Sequence, residues 1–173
     1  FETVKNFPLL LQAWALVAAD RPAWRLELYG SGSLEEALRT QVSLLGLDRS
    51  VTIAPWREDP HELFDRAAVL ALPSLVEGLP LVILEAFARE VAVVSTDSSP
   101  GVADLVGSGR GALVREFTPE AFAEGLASMM DDQELRLRSV SAARSRVEHH
   151  ALPVVVDEWR QLLGGLGWRR SPG

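Results

Sequence analysis

Ala68-Val69-Leu70-Ala71-Leu72-Pro73-Ser74-Leu75-Val76-Glu77-Gly78-Leu79-Pro80-Leu81-Val82-Ile83-Leu84-Glu85-Ala86-Phe87-Ala88-Arg89 is the stretch whose reading decides the fold. Residues Ala68 to Leu72 form a continuous apolar run, the pattern of a strand covered on both faces by helices. Pro73 to Pro80 interrupts it with proline, serine and glycine, and Leu81 to Arg89 reads as a short, very apolar helix. Buried strand, polar loop and buried helix in succession are the repeating piece of a parallel α/β sheet.

Outward from this stretch the alternation recurs. Trp24-Arg25-Leu26-Glu27-Leu28-Tyr29 alternates apolar with polar and stops at Gly30, and Val51-Thr52-Ile53 is a second short strand. Val91 to Ser95 and Gly111 to Val114 supply two more. Helices are predicted over Asn6 to Ala19, with Pro8 in the first turn, and over Leu34 to Leu44, with Ser33 as its cap. Thr118 to Met130 opens with Thr-Pro-Glu; Asp132 to Glu148 and Pro153 to Leu163 close the chain. The order predicts an α/β fold, a Rossmann-like doubly wound parallel sheet with right-handed crossovers, over residues 1–163. The glycine-rich residues 164–173 read as a flexible tail. A doubly wound unit starts with a strand, whereas this sequence opens in the loop before its first helix. The pattern therefore predicts a first strand missing upstream and a natural polypeptide that extends beyond Phe1.

Hydrophobic residues make up 47% and charged residues 24% of the 173, enough apolar material for a core without disulfides or a structural metal. The formal net charge of -7 argues against a nucleic-acid partner, which needs a basic face to neutralise phosphates. The chain has no cysteine, which excludes thiolate catalysis and Cys-ligated zinc and suits a reducing cytoplasm. No apolar run reaches the roughly 20 residues of a membrane span.

Ligands of open α/β sheets bind outside the carboxyl ends of the strands. The turn Gly30-Ser31-Gly32-Ser33 lies at one such end, where glycines let backbone N–H groups approach an anion and a helix N-terminus adds favourable charge. A plain tight turn would read the same. Ser74, Glu77 and Gly78 lie in the loop after the buried strand, and Glu85 sits within an otherwise apolar helix. Helical side chains lean towards the N-terminus, so Glu85 points back at the loop's ligand. From Leu81 to Glu85 the helix rises roughly 6 Å, comparable with the step from a diphosphate to a ribose. Backbone amides over Gly78 to Leu81 and the helix start would hold the diphosphate, Glu85 the ribose hydroxyls and Glu77 the hydroxyls of an attached sugar. His61, in Asp59-Pro60-His61-Glu62, is expected exposed at a helix start, and His149-His150, near a helix end, shows no ligand spacing. Arg136, Arg138, Arg144 and Arg146 are expected on a solvated face with Asp131, Asp132, Glu134 and Glu148.

The segment Pro-Ser-x-x-Glu-Gly-Leu-Pro-Leu-x-x-Leu-Glu-Ala, with Glu77 and Glu85 spaced as Glu-x7-Glu, resembles the donor-site signature of the group-1 retaining glycosyltransferases. These enzymes fold as two facing Rossmann-like domains, the GT-B architecture, and the resemblance, from Lys5-Asn6 to about Leu163, is to the C-terminal, donor-binding one. Lys5-Asn6, Gly30-Ser31-Gly32, Gly101-Val102-Ala103-Asp104 and Gly111-Ala112-Leu113-Val114 resemble further family landmarks in the family's order. Asp104 stands where the family has Glu, Glu90 where a glycine often closes the signature helix, and Ala92 where it has proline.

The resemblance implies that Lys5 and Glu77 carry the chemistry. Lys5 would neutralise the departing nucleoside diphosphate and Glu77 would hold the donor sugar. Donor contacts would come from Lys5, Gly30, Ser31, Gly32, Ser74, Glu77, Gly78, Leu79, Pro80, Leu81 and Glu85, with Trp56-Arg57 near the base. No cofactor and no metal are expected, in keeping with the lack of an Asp-x-Asp motif. The partners implied are a nucleotide-sugar donor and an N-terminal acceptor domain of the same natural chain, through which peripheral membrane association would arise. The fragment alone is expected to be inactive. The competing readings are a stand-alone nucleotide-sugar-binding module and a nucleotide-sugar epimerase domain.

Overall fold

The computed structural model describes residues 1–57 and 61–165. After a 3-10 turn at Thr3–Lys5, the order is α1 (Phe7–Val17), β1 (Leu26–Tyr29), α2 (Glu35–Leu44), β2 (Val51–Ala54), α3 (His61–Phe64), β3 (Val69–Leu72) and α4 (Leu81–Ala88). There follow β4 (Ala92–Thr96), α5 (Pro100–Val106), β5 (Ala112–Val114), α6 (Pro119–Asp131), α7 (Gln133–His149) and α8 (Leu152–Gly165). Every pairing is parallel. Leu26 to Tyr29 lie opposite Val51 to Ala54, Val69 to Leu72 opposite Ala92 to Ser95, and Val94 to Thr96 opposite Ala112 to Val114.

The sheet comes in two pieces, β1-β2 and β3-β4-β5. One edge of β1 and one edge of β3 are therefore unpaired among the described residues, and both line a cavity of about 1170 Å³. Leu10 and Trp14 of α1 and Leu126 and Met130 of α6 line it too. Phe1 to Lys5 cross the carboxyl end of this slot. The Phe1 amino group reaches Ser31 O, and Leu75 N donates to Val4 O at 2.8 Å.

β4 is the only strand described here with every residue buried. Ala92 and Val94 enter one core with α1 and α6, while Val91 and Val93 enter a second with Ile83, Phe87, Val102 and Leu105. Alternate side chains of one strand thus feed both cores, which is why its sequence reads as an unbroken apolar run. In α4 the buried residues are Ile83, Ala86 and Phe87, the i, i+3, i+4 stripe of a helix against a sheet.

α6 and α7 have side-chain caps at their N-termini. Thr118 Oγ1 accepts from Ala121 N at 3.2 Å and Asp132 Oδ1 from Leu135 N at 2.8 Å. The prediction fails at Ser33: the N-cap of α2 is Leu34, with no side-chain cap bond, and Glu35 and Glu36 in the first turn complement the helix dipole instead. α5 is a helix the sequence reading did not assign. Of the residues expected in the tail, Gly164 and Gly165 are the last two of α8; 166–173 lie outside the described residues. Arg136 is not a solvated residue. It donates to Met129 O and to Met130 O at 3.1 Å and stacks on Trp24, closing the carboxyl end of α6. Arg146 Nη2 reaches Asp104 Oδ1 at 2.7 Å and ties α7 to α5.

Candidate functional site

The carboxyl ends of β1 and β3 carry the polar residues singled out above. β3 ends at Leu72 and the loop turns at Pro73-Ser74. Thr96, at the end of β4, anchors that turn, its buried Oγ1 donating to Ser74 O at 2.5 Å. Ser74 is itself fully buried. Its hydroxyl donates to Glu77 Oε1 at 2.6 Å, and Lys5 Nζ donates to the same oxygen at 2.8 Å. The Glu77 side chain is 11% exposed and that of Lys5 is 42% exposed, so the carboxylate is held from inside and the ammonium faces solvent. Charge-assisted bonds of this kind are roughly twice as strong as neutral ones.

Lys5, Ser74 and Glu85 line one cavity, together with Gly30 and Ser31. Glu77 joins them through Lys5 and Ser74. Glu85 is one position off the buried stripe of α4, half-buried and without a hydrogen-bond partner among the described residues. Gly32, Gly78, Leu79, Pro80 and Leu81 do not line the cavity; Leu79 and Leu81 are 46% and 63% exposed. Gly30 and Gly32 have φ of 154° and 147°; a Cβ on Gly32 would overlap the Phe1 backbone, and one on Gly30 would press on the Phe1 ring at 3.1 Å. In this structure, close approach of the N-terminal segment is what those glycines permit.

Trp56 also lines the cavity and is 64% exposed, and Arg57 lies 6.0 Å from the centroid of the Tyr29 ring. Burial, and next the Glu27 carboxylate that its hydroxyl touches at 2.7 Å, push the Tyr29 pKa upward. Asp104 is absent from the cavity wall, being paired with Arg146. His149 and His150 pack edge to face, and His150 Nδ1 lies 2.8 Å from Arg146 O. The His61 side chain, like Asp59 and Pro60 before it, lies outside what is described. Among the described residues no group of three His, Cys, Asp or Glu is placed to hold a metal ion, and no helix is long and apolar enough to cross a membrane.

Sequence reasoning missed Ser99 and Thr96. Ser99-Pro100-Gly101 carries a signal that was available, a capping serine followed by proline at the first helical position. Thr96 had none, because its role comes from register with Leu72 and Ser74 across the sheet.

Residues 1–146 match the family model described as "Glycosyl transferases group 1". The chain belongs to that family. It is 32% identical over 160 residues to an uncharacterized glycosyltransferase of Haemophilus influenzae, covering 92% of this chain and 45% of the relative. It is 28% identical over 162 residues to the N-acetylgalactosamine-N,N'-diacetylbacillosaminyl-diphospho-undecaprenol 4-alpha-N-acetylgalactosaminyltransferase of Campylobacter jejuni, covering 92% and 44%. The chain thus spans less than half the length of these relatives and corresponds to their C-terminal part. Among solved structures, Anabaena HepE in complex with UDP superposes with a TM-score of 0.85 at 21% identity, over 95% of this chain and 46% of that one. The C-terminal domain of the group 1 family protein LpcC from Francisella tularensis gives 0.77 at 21%, over 87% and 81%. These likenesses establish the fold, a Rossmann-like half of the GT-B architecture.

Proposed function

We propose that this chain holds the nucleoside-diphosphate sugar for a retaining glycosyltransferase whose acceptor-binding half belongs to a longer polypeptide. The observation that carries the reading is the convergence of Lys5 and Ser74 on Glu77 Oε1 at the carboxyl end of β3, where Lys5, Ser74 and Glu85 also line the slot between β1 and β3. A ligand there has a cation for its diphosphate, one carboxylate for sugar hydroxyls and another for ribose hydroxyls, each oxygen an acceptor. HepE, of the same fold, is a UDP complex, which supports the same class of ligand.

In the transfer, the bond between the anomeric carbon and the diphosphate oxygen breaks. The acceptor oxygen bonds to that carbon on the face the diphosphate leaves, and the acceptor proton passes to the departing diphosphate. Negative charge grows on the diphosphate, and Lys5 with the N–H groups of Gly78, Leu79 and Leu81 would stabilise it in the transition state more than in the ground state. Lys5 leaves Glu77 as it turns to the diphosphate, and the carboxylate is then open to sugar hydroxyls. No metal enters this scheme. The slot between β1 and β3 takes one parallel strand from the polypeptide upstream, whose two edges would satisfy both free ones. A cytoplasmic site of action suits the cysteine-free sequence.

Calorimetric titration with UDP, GDP and ADP tests the reading. One of them binds, and Glu85→Ala weakens it ten- to a hundredfold, the effect of losing hydrogen bonds to a charged acceptor worth about 1.5–3 kcal/mol. Absence of binding to all three, or an affinity untouched by Glu85→Ala, overturns it.

A further inference from the structure

Gly78 lies between the two halves of the site, after Glu77 and before the helix that carries Glu85. Ser99, the N-cap of α5, donates its hydroxyl to Gly78 O at 3.0 Å while its oxygen accepts from Val102 N at 3.2 Å. Gly101, in the first turn of α5, faces the same carbonyl, and a Cβ there would overlap Gly78 O. The carbonyl of one loop residue is thus received by a hydroxyl and by a glycine face of a neighbouring helix.

In a planar trans peptide the C=O and N–H point in opposite directions. Holding Gly78 O against α5 therefore turns the Leu79 N–H away from α5. Gly78 has nothing within 4 Å of where its Cβ would stand, and glycine's freedom of φ and ψ makes rotation of the following peptide easy. Nothing in Gly78 itself selects one orientation; the contact with Ser99 does.

We propose that Ser99 and Gly101 are positioning residues that fix the Gly78–Leu79 peptide with the Leu79 N–H presented to the donor diphosphate. The inference rests on the donor-site reading above. It adds that the amide assigned to the diphosphate is oriented from α5; neither Leu79 nor α5 lines the cavity between β1 and β3.

Three variants test it, Ser99→Ala, Ser99→Thr and Gly101→Ala, each measured in the free chain and with ligand. In the free chain, Ser99→Ala and Gly101→Ala broaden or shift the Gly78 and Leu79 amide resonances, whereas Ser99→Thr, which keeps the hydroxyl, leaves them near the parent. With the nucleoside diphosphate that binds the parent, Ser99→Ala and Gly101→Ala weaken affinity about tenfold, while affinity for the corresponding nucleoside is unchanged. Ser99→Thr retains both. Gly101→Ala separates this role from helix capping, because it keeps the Ser99 cap and raises helix propensity. Diphosphate affinity unchanged in Ser99→Ala and Gly101→Ala, equal loss of nucleoside and diphosphate, or failure of Ser99→Thr to restore binding each overturns the proposal. Should the parent bind no nucleoside diphosphate, the donor reading falls with the role assigned to Leu79 N–H, and the amide resonances decide separately whether Ser99 fixes the peptide.

Discussion

Glu77 Oε1 accepts from both Lys5 and Ser74, and Oε2 has no donor among the described residues. A serine hydroxyl from the buried side keeps the carboxylate in place when the lysine turns to an anion. Lys5→Met is therefore expected to weaken nucleoside-diphosphate binding roughly ten- to a hundredfold and to flatten its dependence on ionic strength, since an exposed cation acts through a screened field. Titrations at low and high salt read both effects. A second residue-scale prediction concerns Asp131, whose two oxygens take Arg21 Nε at 2.7 Å and Nη2 at 2.5 Å. The hydrogen bond to Arg21 holds the Asp131 carboxyl below its ordinary value. A depressed folded-state pKa gives stability that is present above the unfolded pKa of about 3.9 and is lost as pH falls through the folded one. Asp131→Asn should lower the melting temperature at neutral pH, and the difference from the parent should shrink as pH falls below about 4. A difference that does not change with pH would refute this.

At the scale of elements, the end of α4 shows how a departure from the family pattern is accommodated. Glu90 N donates to Phe87 O at 3.1 Å and Val91 N to Ala86 O at 2.9 Å, the two bonds of a Schellman motif, with Glu90 at φ 58° in the left-handed region that favours glycine. The motif survives with a glutamate at its strained position because Val91, fully inside the second core, pulls the chain into place. Glu90 is exposed, so Glu90→Gly removes no packing and should stabilise the chain by about 1 kcal/mol, raising the melting temperature by about 2–4 °C. Thermal unfolding followed by circular dichroism measures it. The short apolar helix itself was legible from its sequence. That its end tolerates Glu90 was not, since the cost is local and the compensation comes from the core.

At the scale of the molecule, the two pieces of sheet share a core. Leu26, Leu28 and Val51 pack in the same cluster as Ala92, Val94 and Val114, joined by Leu11 of α1 and Phe122 of α6. The chain is expected to unfold in one cooperative step despite the break between β1 and β3. Leu28→Ala and Val94→Ala should move the same transition, the first by about 2–5 kcal/mol for a buried leucine. Urea melts followed by tryptophan fluorescence and by circular dichroism should coincide. Two separate transitions, one for each piece, would show that α1 and α6 do not couple them.

The apolar runs, their spacing and the glycine and proline breaks between them determined the α/β order, the five strands and the pairing of Glu77 with Glu85 in one signature, because these depend on local pattern and on a period of side-chain burial. Tertiary structure alone decided that Lys5 and Ser74 converge on one oxygen of Glu77, that Gly30 and Gly32 lie under Phe1, that Arg136 caps a helix, and that Ser99 receives Gly78 O. Lys5 and Glu77, Phe1 and the two glycines, and Ser99 and Gly78 are far apart in the chain, and no periodicity encodes any of these contacts. They follow from strand register and helix docking, which exist only once both faces of β4 are covered.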